Sequence, residues 1–238
     1  MEKGESQQHR DELAKEMMDA PKEERRDIHD KAKNSPEYWQ AQTEKVKAGQ
    51  EEIDDGLGIF VKHKTLYHGS GVAGIEAFDE AEAGTIGSGV YCTSEAKDAI
   101  GYARRRSRRE KSPSPIIYES SVEKMKFLDL RKKENVEKIL GGFKQVLNEM
   151  IKMKGWSWDQ QNILQNAIAK INSGTVGVGN LRDVTYGLNQ QFSDYCESQG
   201  YGGLIAIEGG EGDDIGNHDT YLIFDPEDAK IVQEHKIT

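Results

Sequence analysis

Cysteine is scarce in this chain. Cys92 and Cys196 are the two that occur in 238 residues, which excludes a disulfide framework and a cysteine-rich zinc site. Long apolar runs are missing too: no stretch reaches the roughly 18 residues of a membrane-spanning helix. The start, Met1-Glu2-Lys3-Gly4-Glu5-Ser6, lacks the apolar core of a secretory signal. The expected compartment is therefore the cytoplasm, of the producing cell or of a target cell, and no membrane partner is expected. Positive charge is in deficit, with a net charge of -10 and a pI near 5.2. That argues against holding nucleic acid by bulk phosphate neutralisation, although a local basic patch stays open. No internal repeat is visible. A dinucleotide-binding fingerprint is absent as well, because Gly84-Thr85-Ile86-Gly87-Ser88-Gly89 has its glycines in the reverse spacing and precedes a strand.

What is present divides into a charged front and a globular remainder. Residues 1 to 55 are dense in Glu, Lys, Asp, Arg and Gln and hold few aliphatic residues, so they can form solvated helices but bury little alone. Asp11 to Asp19 and Lys22 to Ala32 read as helices, and Ser35-Pro36-Glu37 as the start of a third. This arm is expected to pack loosely on the domain or to dock a partner protein. From residue 56 to 238 the texture changes to short apolar runs bounded by glycine.

Gly58 to Val61, Thr65 to His68, Val90 to Thr93, Ile116 to Val122, Gly203 to Ile207, Tyr221 to Phe224 and Ala229 to Glu234 read as strands, with Phe127 to Leu130 as a continuation of the Ile116 run or its partner. Helices are expected over Glu95 to Arg109 with Ser94 as cap, over Glu134 to Met153, over Ser157 to Asn172, and over Leu181 to Gln199. Ser173 to Asn180 reads as a loop. Strands scattered among irregular helices imply an α+β domain.

One order of residues carries chemistry. Tyr67-His68-Gly69-Ser70 ends a strand, Gly87-Ser88-Gly89-Val90-Tyr91 re-enters one, and Tyr102 follows eleven residues later. That order resembles the nicotinamide pocket of ADP-ribosyltransferases, in the His-Tyr-acid branch of poly-ADP-ribose polymerases and diphtheria-type toxins. The closing segments, Gly200 to Ile205 and Tyr221 to Pro226, are similar to transferase domains of phage and mobile-element polyvalent proteins. The resemblance covers about residues 58 to 234 and implies a split antiparallel sheet with flanking helices. It also implies NAD as substrate, without a metal. By it, His68 binds the adenosine ribose, Gly69 the carboxamide, and Tyr91 and Tyr102 the nicotinamide ring. A cationic heterocycle between two phenol faces is also sound physics.

The pattern departs from the family at two places. A serine common eight residues after the first tyrosine is Ala99 here, so that contact is expected to be lost or to be supplied elsewhere, by Ser70 or Thr93. Where relatives carry the catalytic glutamate this chain has Thr220, with Asp219 before it. A carboxylate stabilises positive charge on the reacting ribose and a threonine does not. Asp219 is therefore expected to be the acid ahead of Thr220, provided the strand bulges or starts late, with Glu208, Glu211 and Asp214 in reserve. His218 is expected to be exposed, Cys92 a small buried residue, and Arg104 to Arg109 a solvated helix end, although NAD phosphates, an acidic protein or nucleic acid could also occupy those arginines. The implied activity is mono-ADP-ribosyl transfer to an unidentified acceptor, protein or nucleic acid. The alternatives are an NAD-binding or target-binding module without turnover, and a structural protein that retains the fold.

Overall fold

The computed structural model describes residues 52–79, 85–111, 115–153, 155–209 and 217–237. The helices expected within the first 51 residues lie outside them. Two long strands dominate the described part. Gly58–Ser70 (β2) and Ile116–Asp129 (β4) pair antiparallel along their whole length. The two short runs expected on each side of Lys62-His63-Lys64 are thus one strand, because the backbone ladder continues through the polar stretch. Lys64 is buried, and its ammonium is ion-paired with Glu52 and lies 5.0 Å from the centre of the Tyr221 ring. Glu52 belongs to Glu52–Asp54 (β1), a strand paired to β2 although the sequence groups it with the charged front.

The remaining strands close the sheet on itself. Val90–Thr93 (β3) touches β2 through the single pair Tyr67 and Thr93. It pairs fully with His218–Ile223 (β6), which pairs with Gly203–Glu208 (β5). β5 returns to β4 at Phe127 to Asp129, and this one pairing is parallel where an all-antiparallel sheet was expected. Lys230–Lys236 (β7) extends the free edge of β4. The result is α+β: one seven-stranded sheet, closed on itself through the β2–β4 pairing, with helices outside.

Strand alternation sorts the core. Val61, Leu66, Cys92, Tyr118, Phe127, Ile205 and Ile223 pack into one buried cluster. Leu204 and Leu222 point outward, beneath Lys133–Lys152 (α2), Trp158–Ser173 (α3), Arg182–Thr185 (α4) and Asn189–Ser198 (α5). Ala96–Glu110 (α1) covers Tyr67 of β2 and Ile117 of β4. Two local expectations change. Ser94 does not cap α1; Glu95 holds that position, its N–H donating to the Thr93 hydroxyl at 3.2 Å. The helix expected over Leu181 to Gln199 is broken at Gly187, whose φ of 76° no helix accommodates. Ser157 forms a capping box with Gln160, as an N-terminal Ser-x-x-Gln should. Among the described residues no helix is long and apolar enough to cross a membrane.

The β3 turn tolerates no side chain at Gly89. Its φ is 139°, and a Cβ there would run into the carbonyl of Ile223. Gly89→Ala is expected to cost about 2–5 kcal/mol from strain plus overpacking, whereas Gly141→Ala, with open space around it in α2, should add about 0.5–1 kcal/mol. Urea denaturation midpoints check both; an unaffected Gly89 variant would contradict the packing.

Candidate active site

The face of β3 and β6 that lies beneath the outer helices continues past them, and α1 roofs it over. Gly69 sets how closely α1 approaches. A Cβ on Gly69 would strike the Ala99 carbonyl and come within 2.7 Å of the Ala103 nitrogen. Ala99, at the position where a serine was looked for, is fully buried in this contact. The close approach sets Tyr102, Arg105 and Arg106 over a cleft of about 430 Å³, a volume in the range that holds small ligands. His68, Gly69, Asp79, Tyr91, Thr93, Glu208 and Thr220 are among the other residues that line it.

His68 is oriented by one bond. Its Nδ1 lies 2.8 Å from the Tyr91 carbonyl oxygen. A carbonyl only accepts, so the proton is on Nδ1 and Nε2 is left with a lone pair. Burial pushes the imidazole pKa down; the Tyr91 carbonyl opposes this, and Arg106 adds to the lowering. Phe78 packs against the ring at 5.0 Å.

Tyr91 is fixed at its far end. Its hydroxyl accepts from the Ile86 and Gly87 nitrogens at 2.9 and 3.0 Å and donates to the Gly87 carbonyl at 2.8 Å. The ring therefore pins the 85–89 turn. Burial raises the phenol pKa, so the donor stays protonated. Tyr102 is held through its own hydroxyl, 3.0 Å from His218 Nε2, with the rings edge-on at 5.4 Å.

Among the described residues two carboxylates line the cleft, Asp79 and Glu208, and the one bonded to Thr220 is Glu208. It accepts from the Thr220 hydroxyl at 2.9 Å and from the Thr85 hydroxyl. Behind it, His218 Nε2 lies 3.3 Å from Thr220 Oγ1. Asp98, 6% exposed, has its pKa raised by burial, against the pull of His218 and the Thr93 hydroxyl.

Several expectations are corrected by this geometry. Asp219 faces away: β6 has begun at His218 and runs in regular register, so Asp219 points opposite to Thr220. Its carboxylate meets Arg131 at 2.6 Å, and Arg131 also holds the buried Asp129. His218 is 7% exposed, where an exposed side chain was expected. Ser70 does not line the cleft; its hydroxyl accepts from the Val72 nitrogen at 3.0 Å. Thr93 does line it. Arg105 and Arg106 edge the cleft instead of serving only as a solvated helix end. Cys92 is buried as expected, its thiol pKa pushed up to about 12 by desolvation. Glu211 and Asp214 lie outside the described residues.

No protein-family model matches the chain, and no curated protein matches it. Among solved structures it is similar to a chain of the crystal structure of the M. tuberculosis MbcT–MbcA toxin–antitoxin complex, at 11% identity over 82% of this chain and 91% of that one, with a TM-score of 0.41. At this level the likeness bears on neither activity nor partner.

Sequence reasoning ranked Glu208 low and missed Asp98. For Glu208 part of the signal was present, since His218 and Thr220 share a face by period two; the pairing that sets Glu208 opposite His218 is seen in the structure alone.

The lowered pKa of His68 makes stability depend on pH. Its unfolded state binds a proton more readily, so its contribution is complete above the ordinary value of 6.5 and is lost as pH falls below it. The stability advantage of wild type over His68→Asn is expected to shrink between about pH 7.5 and pH 5, a window bracketing the histidine pKa. Parallel urea titrations measure it; an advantage that grows on acidification would contradict the neutral tautomer.

Proposed function

We propose that the chain uses NAD as substrate and is a mono-ADP-ribosyltransferase, with Glu208 in the role first assigned to Asp219. The observation that carries this reading is the presence of Glu208 and Thr220 in one cleft with His68, Tyr91 and Tyr102. The fit to NAD is supported group by group. The phenol rings suit a flat cationic heterocycle, the Nε2 lone pair of His68 suits a ribose hydroxyl, and the guanidinium groups of Arg105 and Arg106 suit a pyrophosphate.

Bound NAD supplies the scissile bond between the ribose C1′ and the nicotinamide nitrogen, whose electron pair leaves with nicotinamide while an acceptor nucleophile bonds to C1′. Glu208 stabilises the positive charge that develops on the ribose and takes the acceptor's proton. The Thr85 and Thr220 hydroxyls hold its carboxylate in place, which spares reorganisation at the moment of reaction. His218, whose Nε2 lies within hydrogen-bond distance of both hydroxyls, positions Thr220 and Tyr102.

Nicotinamide release from NAD tests this. Glu208→Gln is expected to lower the rate by about 100-fold or more while NAD still raises the melting temperature. Asp219→Asn should remain within about threefold of wild type, because its side chain lies outside the cleft. Release that depends on Asp219 and not Glu208 overturns the assignment. Thermal stabilisation without any release leaves the binding module as the function, and neither effect removes NAD from the account.

A further inference from the structure

The acceptor can be inferred from the outer surface of α1, given NAD-dependent transfer at the cleft. Five of the chain's ten arginines fall between positions 104 and 109, and Lys111 follows. All six cations, Arg104, Arg105, Arg106, Arg108, Arg109 and Lys111, are exposed. Arg105 and Arg106 edge the cleft. Arg104, Arg108 and Arg109 lie beyond it, and no carboxylate of the described residues pairs with them. At 3.6 residues per turn the cations sweep about 220° of the helix circumference, continuously from the cleft to its outer side.

Helix physics does not account for this concentration. The dipole favours Arg108 and Arg109 in the last turn, but its effect fades before Arg104, Arg105 and Arg106. Arg104 with Arg108, and Arg105 with Arg109, are like-charged pairs four residues apart, which weaken a helix. A polyanion would relieve that repulsion. The rest of the chain is strongly acidic, so the cations form a local feature and not part of a basic protein.

We propose that this arginine face docks a single-stranded nucleic acid and leads one of its nucleotides to the cleft as the ADP-ribose acceptor. Five of the six cations carry guanidinium, whose planar fork matches phosphate oxygens in pairs. The run from Arg104 to Lys111 rises about 10 Å, enough for two to three successive phosphates at roughly 3.4 Å or more each. A face that wraps more than half of the helix suits a flexible chain better than the flat surface of a folded acidic protein. Chemistry inside a cleft also requires a nucleotide free of a duplex.

The test uses the full chain and a fluorescently labelled 20-nucleotide single strand, as DNA and as RNA, with anisotropy read between about 50 and 200 mM salt. Arg104→Gln/Arg108→Gln/Arg109→Gln removes three cations outside the cleft, and its melting temperature checks the fold. Binding of either strand is expected, weakened about tenfold or more in the triple variant, with the slope of log affinity against log salt smaller by about 2. NAD-induced thermal stabilisation should be unchanged in that variant. No binding, equal binding by the folded variant, or equally tight binding of polyglutamate overturns the proposal. Strand binding without any NAD effect sinks the transferase reading alone, and NAD turnover without strand binding sinks this one alone.

Discussion

One hydrogen bond, from the His68 imidazole to the Tyr91 carbonyl, ties β2 to β3 where the ladder is thinnest. β2 and β3 share a single backbone pair, Tyr67 with Thr93, so a side chain supplies what the backbone does not. The bond spends the Nδ1 proton on structure and turns the Nε2 lone pair to other use. The same contact that closes the ring of strands therefore orients the imidazole in the cleft. Tyr91 repeats the pattern, its carbonyl holding His68 while its hydroxyl holds the 85–89 turn.

Electrostatics is partitioned by the pleat of β6. Asp219 falls on one face and is neutralised by Arg131, whose second partner is the buried Asp129. Thr220 falls on the other and donates to Glu208. Two neighbouring residues thus serve a structural ion pair and a candidate reaction centre, separated by the sheet itself. Gly69 completes the arrangement, since only a residue without a Cβ lets α1 come close enough to roof the cleft.

Much of this was legible in the sequence, and the misses have physical causes. The positions of β3, β4, α2, α3 and β5 follow from apolar period and capping residues. The Ser157 box and the Gly187 break show both sides of that reading: a side-chain cap is a local signal, whereas the conformation of a lone glycine depends on what surrounds it. The polar centre of β2 was misread because Lys64 is stabilised by Glu52 and Tyr221, partners remote in sequence or assigned to another segment. His68, Gly69, Tyr91 and Tyr102 were found by order and spacing, and they do share one cleft. Asp219 was preferred because it adjoins Thr220 in the chain. The carboxylate bonded to Thr220 comes from the neighbouring strand, and only the register between β5 and β6 could identify it.

A crystal structure with a non-hydrolysable NAD analogue tests the central claim most directly. The account predicts the nicotinamide ring between Tyr91 and Tyr102, the adenosine ribose on His68 Nε2, and the reacting ribose facing the Glu208 carboxylate. An analogue bound outside this cleft, or bound within it with the reacting ribose turned from Glu208, would contradict it.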